Sequence, residues 1–152
     1  MDTTELAAVV EAFYSAWSAR DQQRLLAMWA TDDPACSYLP AKAERRLIGA
    51  DAVTGFIAER TTTFQTIRMR PHNIHLRRLT DDLGSLFAEV DWALKKTSTS
   101  KAIGGTLRVS GVLRRSAGSW RFCHYAEAPL APLVELRGFY QTIGADGHEA
   151  LT

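Results

Sequence analysis

The stretch SLFAEVDWALKKT, Ser85–Thr97, decides the fold. Leu86, Ala88, Val90, Trp92 and Leu94 fall on one parity, and Phe87, Glu89, Asp91 and Ala93 on the other. That is the two-residue period of an extended strand, not the 3.6-residue period of a helix. Three more segments alternate in the same way: FQTIRMRPHNIHLRRL from Phe64, GGTLRVSGVLRR from Gly104 and SWRFCHYAEA from Ser119. TDDLG, STSKAIG and SAG separate them, and residues of these types form tight turns. The pattern predicts four long antiparallel strands joined by hairpins, with Pro71 marking a bulge or bend in the first.

Upstream of Phe64 the period changes. Leu6, Val9, Val10, Phe13, Tyr14 and Trp17 recur at helical spacing and predict an amphipathic helix over about residues 3 to 20. Asp21 can accept from free amides of the next turn and cap a second helix, which buries Leu25, Leu26, Met28 and Trp29 and stops before Pro34. ACSYL reads as a short extended piece. A third helix starts at Asp51 and turns Val53, Phe56, Ile57 and the stem of Arg60 inward. Helices followed by a twisted antiparallel sheet make an α+β arrangement with the helices on one face. Because both parities of the strands carry apolar residues, the far face needs a cover of its own, and a second copy of the chain supplies it most simply.

A chain of 152 residues is the size of one domain. Its 46% hydrophobic and 23% charged residues are globular rather than disordered or membrane-embedded values. The acidic N-terminus lacks the basic region of a secretory signal, so the expected location is cytoplasmic. Cys36 and Cys123 form no metal-binding spacing and read as buried thiols, and no cofactor is implied. Net charge is +1, but residues 60 to 121 hold 12 basic and 4 acidic groups, a basic segment that would face an anionic ligand, an acidic surface of another subunit or only water. Alternation divides those arginines between two faces without exposed aromatics among them, which disfavours nucleic acid.

AFYSAWSARDQQRLLAMWATDD, the Gly49–Val53 helix start and RVSGVLRRSAGSWRFCHYAEAP together resemble the nuclear transport factor 2-like superfamily, in particular its SnoaL-like and ketosteroid isomerase-like branches. The resemblance implies a cone-shaped curved sheet wrapped around three N-terminal helices and a pocket inside the cone. It also implies a homodimer through the convex face. It covers about residues 5 to 129, so residues 1–129 are expected as one domain and 130–152 as a short helix and flexible tail. The superfamily hosts isomerases, dehydratases, hydrolases, cyclases and oligomerisation modules, so the fold leaves the reaction open.

Within the resemblance, Tyr14 stands where ketosteroid isomerases carry the phenol that donates to a developing oxyanion. ACSYLP offers Ser37, Tyr38 and Leu39 where those enzymes carry a base, and Ser110 replaces their second acidic donor. Strand register carried over from the family puts Val90, Trp92, Ser110, Val112, Cys123, Tyr125 and Glu127 inside the cone, and Trp120, Phe122 and His124 outside. Glu127 then reads as an acid or base whose pKa burial raises, or as the ion-pair partner of Arg108 or another arginine. Tyr14 and Glu127 are the expected catalytic pair. Trp17, Tyr38, Phe56, Trp92, Arg108, Ser110, Val112 and Tyr125 are expected to meet a small hydrophobic or anionic molecule. A lyase, isomerase or hydrolase, a binding protein without turnover, and an oligomerisation module all remain open. His72 and His75, three apart in a strand, are expected on opposite faces.

Overall fold

The computed structural model describes residues 2–98 and 101–130. α1 (Thr4–Ala19) buries Leu6, Val10, Phe13, Tyr14 and Trp17 along one stripe. It ends at Arg20, whose left-handed φ of 56° turns its N–H back onto Ala16 and Trp17 carbonyls. α2 (Gln22–Ala27) starts from the expected cap, with the Arg24 amide donating to Asp21 Oδ1 over 3.0 Å. This helix is shorter than its apolar pattern predicts. Residues after Ala27 leave it because the Phe122 amide donates to the Met28 carbonyl and the Ala30 amide to the Phe122 carbonyl. Trp29 is thus held against a strand, still fully buried. α3 (Ala50–Thr63) buries Val53, Ile57 and Thr61.

The four long strands are β3 (Phe64–Arg78), β4 (Leu83–Lys96), β5 (Ile103–Ser116) and β6 (Ser119–Pro129). Two short ones, β1 (Ser37–Leu39) and β2 (Leu47–Ile48), extend the sheet to the order β2-β1-β6-β5-β4-β3. All pairs are antiparallel except β1 with β6, which places Tyr38 beside Tyr125. The architecture is the expected α+β arrangement of three helices on a curved, unclosed sheet. At its centre Phe13 of α1 meets the rings of Tyr14, Trp17, Trp29, Phe122 and Tyr125 at centroid distances from 4.6 to 6.5 Å.

Which residues face inward departs from strict alternation at two bulges. In β6, Leu113 pairs with Phe122 while its neighbour Val112 pairs with His124, so Cys123 is an extra residue. Trp120 and Phe122 therefore face inward, as do Tyr125 and Glu127 beyond the bulge, and the expectation that Trp120 and Phe122 lie outside is corrected. His124 is on the outer parity, with Nδ1 2.9 Å from Ser37 Oγ. Gly111 faces the two inward rings, and a Cβ there would meet Phe122 at 3.3 Å and Tyr125 at 3.4 Å. In β3, His72 pairs with Glu89 and His75 with Phe87, so the extra residue brings both histidines to the outer face instead of opposite ones. Asn73, within that bulge, has a φ of 48°.

β5 corrects three further placements. Its inward residues are Leu107, Val109 and Gly111, whereas Ser110 lies opposite exposed Phe87. Arg108 stands beside Glu89 and Val112 beside His124 on the outer face. None of Arg108, Ser110 and Val112 enters the cone. No helix among the described residues is long and apolar enough to cross a membrane. The helix and tail expected beyond Leu130 lie outside the described residues.

Candidate functional site

Between α3, the loop after β1 and the inner faces of β3 to β6 lies a cavity of about 170 Å³. Trp17, Tyr38, Phe56 and Trp92 line it as expected, together with Phe64, Ile67 and Met69. One carboxyl, Glu127, stands among these walls. The parallel pairing of β1 with β6 brings Tyr38 alongside, and its hydroxyl donates to Glu127 Oε1 over 2.6 Å. The Ala41 amide donates to Oε2 over 3.0 Å. Both oxygens of the carboxylate are therefore satisfied by the protein.

Burial raises the Glu127 pKa above its ordinary 4.5, against the lowering effect of the Tyr38 and Ala41 hydrogen bonds and the Arg60 charge. The partner Ala41 places Glu127 in a different setting from the ion pair with Arg108 that the sequence left open. Behind the wall Tyr14 and Tyr125 share a hydrogen bond of 2.9 Å between their hydroxyls. Burial raises both phenols, and the Glu127 charge raises them further. The Tyr125 ring stands 5.4 Å from that of Tyr38, nearly perpendicular to it. Tyr14 and Tyr125 are thus within the cone but not on the cavity surface, where Glu127 and Tyr38 are. Chemically, the arrangement offers a carboxyl able to give or take a proton, a phenol bonded to it and a second phenol pair in reserve behind them.

The sequence profile of the SnoaL-like domain matches residues 6–132. The chain belongs to the SnoaL-like domain family. No curated protein matches it. Among solved structures, this SnoaL-like chain is similar to a dehydratase candidate of the nuclear transport factor 2-like family from Streptomyces avermitilis. That match has 19% identity and a TM-score of 0.76, and covers 86% of this chain and 97% of the other. A ketosteroid isomerase-like protein from Erwinia carotovora atroseptica matches at 15% identity and TM-score 0.69, covering 84% and 95%. A candidate calcium/calmodulin-dependent protein kinase type II association domain from Thiobacillus denitrificans matches at 25% identity and TM-score 0.64, covering 82% and 94%.

Three basic residues of the SnoaL-like cavity escaped the sequence reading as site residues: Lys42, Arg60 and Lys96. Arg60 was legible in part. Helical spacing from Phe56 and Ile57 turns it inward, and its guanidinium lies 4.9 Å from the Phe56 ring centroid and 5.9 Å from that of Phe64. Lys42 sits on a loop with no periodicity to reveal it, with Nζ 5.8 Å from the Trp92 ring centroid. The Ala41 amide was equally hidden, because a backbone donor leaves no trace in residue type. Among the described residues no three His, Cys, Asp or Glu side chains are arranged to hold a metal ion.

Proposed function

We propose that this SnoaL-like chain is a small-molecule lyase or isomerase that uses Glu127 for proton transfer inside the cone. One observation carries the reading: a buried carboxyl with a raised pKa projects into an apolar, aromatic-walled cavity. Such a group holds its proton nearer to neutral pH than an exposed glutamate, which suits a general acid and, once ionised, a base. Tyr38 holds the carboxyl in place and donates to its charged form. Trp17, Phe56 and Trp92 supply apolar contact to the substrate, while Tyr14 acts as a positioning residue through Tyr125. The solved structures described as dehydratase and ketosteroid isomerase-like support the reaction class.

The test is turnover of β-hydroxy and β,γ-unsaturated carbonyl compounds by the wild-type chain and two variants. Glu127→Gln is expected to lower kcat about 10²- to 10⁴-fold. Tyr38→Phe removes a hydrogen bond that lowers the Glu127 pKa, so the corresponding limb of the kcat/KM profile should move to higher pH. Unchanged turnover in Glu127→Gln would overturn the assignment.

A binding protein without turnover is the second reading. It is favoured by the hydrogen bond that each Glu127 oxygen already accepts from the protein, which lets the side chain serve as a strut tying β6 to the loop after β1. Under it, Glu127→Gln changes thermal stability and ligand affinity with no catalysed reaction to lose.

We also propose a homodimer through the outer face of the sheet, where Phe87 is 44% exposed in the middle of β4 beside His75 and Ser110. Sedimentation at micromolar concentration should give a dimer for the wild type and a monomer for Phe87→Asp, since an aspartate there would be buried without a partner. A wild-type monomer would end this proposal.

A further inference from the structure

The cavity walls are apolar, but the charges around them are predominantly positive. Lys42, Arg60 and Lys96 line the same space as the single carboxyl of Glu127. Arg60 and Lys42 come from separate elements, α3 and the loop after β1, yet each lies over an aromatic ring of the cavity wall. A guanidinium carries five N–H donors in a planar fork that matches a carboxylate. Among the described residues the Arg60 guanidinium makes neither a hydrogen bond nor an ion pair with a side chain or carbonyl, and it is half-buried. The hydrogen bonds that Glu127 accepts come from Tyr38 and Ala41 and not from those donors. The guanidinium acts on Glu127 only through its field.

Resting on the reading of this cavity as the working site, we propose that its ligand is an apolar carboxylic acid. The carboxylate is held by Arg60, the Lys42 ammonium provides a second charge, and the carbon skeleton lies among Trp17, Phe56, Phe64 and Trp92. A neutral amide of the same shape would offer Arg60 one uncharged carbonyl acceptor, whereas a carboxylate offers two charged oxygens that match its fork. A concave low-dielectric wall strengthens the attraction. Of the basic residues between positions 60 and 121, Arg60 and Lys96 line this cavity.

The probes are cinnamate and its neutral isostere cinnamamide, titrated calorimetrically against the wild-type chain near neutral pH. Cinnamate is expected to bind about tenfold more tightly, as one charge-assisted interaction would give. Arg60→Gln should remove most of the preference for cinnamate over cinnamamide, with a near-UV circular dichroism spectrum like that of the wild type. Lys42→Gln should weaken cinnamate by a smaller factor. Should Arg60→Gln fail to fold, the wild-type chain still decides, because added salt must shrink the preference for cinnamate while leaving cinnamamide unaffected. Equal affinities, no binding of either at millimolar concentration, a preference undiminished in a folded Arg60→Gln or one insensitive to salt would each overturn the proposal. Glu127→Gln is expected to keep the preference, so a failure of the proton-transfer reading and a failure of the anion site give different results.

Discussion

The two faces of one sheet treat the same functional group in opposite ways. On the inner face Glu127 is enclosed by Tyr38, Ala41 and aromatic walls, and burial dominates to raise its pKa. On the outer face Asp91 accepts from Arg70, Thr106 and His72, in that order of effect, and its pKa falls from 3.8 to about 2. Neighbouring Glu89 takes a hydrogen bond from Asn73. Several donors at the surface tie a carboxylate firmly to its charged form, whereas for the buried Glu127 two donors leave burial the stronger influence. The comparison teaches that an acid in this fold is chemically promising according to its face and not according to how many partners it has.

The largest expected effect contrasts one aromatic from each face. Phe122→Ala should destabilise by about 3–5 kcal/mol in chemical denaturation, because it opens a cavity at the fully buried contact with Phe13, Trp29 and Tyr125. Phe87→Ala on a dissociated chain should cost far less, since its ring is substantially exposed. Equal costs would break the distinction between faces. Next comes the pH dependence of Glu127. Its folded-state pKa is raised, so the folded chain binds the proton more strongly and stability is lost as pH rises from 4.5 through the folded value. Measured against Glu127→Gln, whose side chain does not ionise, the wild type should therefore become relatively less stable across that window. A difference that stays flat would place the carboxyl in water. The smallest effect belongs to Asp91. Its pKa is depressed, so its contribution is present above 3.8 and lost as pH falls through about 2. Asp91→Asn should flatten acid unfolding in that window and lower the melting temperature near neutrality only slightly, because solvent screens this exposed carboxylate.

The alternation of Ser85–Thr97 carried the fold, because a strand with one packed face and one wetter face writes its period into the sequence. The helices were equally legible through their buried stripes, except that α2 yields Trp29 to a strand contact. No local pattern reports a hydrogen bond to residues almost a hundred positions away. The site was legible where side-chain chemistry and parity agree: Glu127, Tyr38, Trp17, Phe56 and Trp92 all reach the cavity. Arg108, Ser110 and Val112 do not, because register inferred one strand at a time accumulates errors of face. Trp120 and Phe122 were misplaced by a rule that holds only in an unbulged strand. Lys42 and the Ala41 amide had no signal at all, since a loop is positioned by what it touches.

The bulge at Cys123 makes β6 unusually forgiving of a change in length at one point. With Cys123 removed, Trp120, Phe122, Tyr125 and Glu127 would fall on one parity of an unbroken strand, each still opposite its present partner on β5. A residue lost or gained between Tyr125 and Glu127 would instead send the carboxyl to the outer face. When related chains are aligned to this one, a gap at position 123 is therefore compatible with the same acid in the cavity. A gap three positions later, at Ala126, signals that the acid has gone.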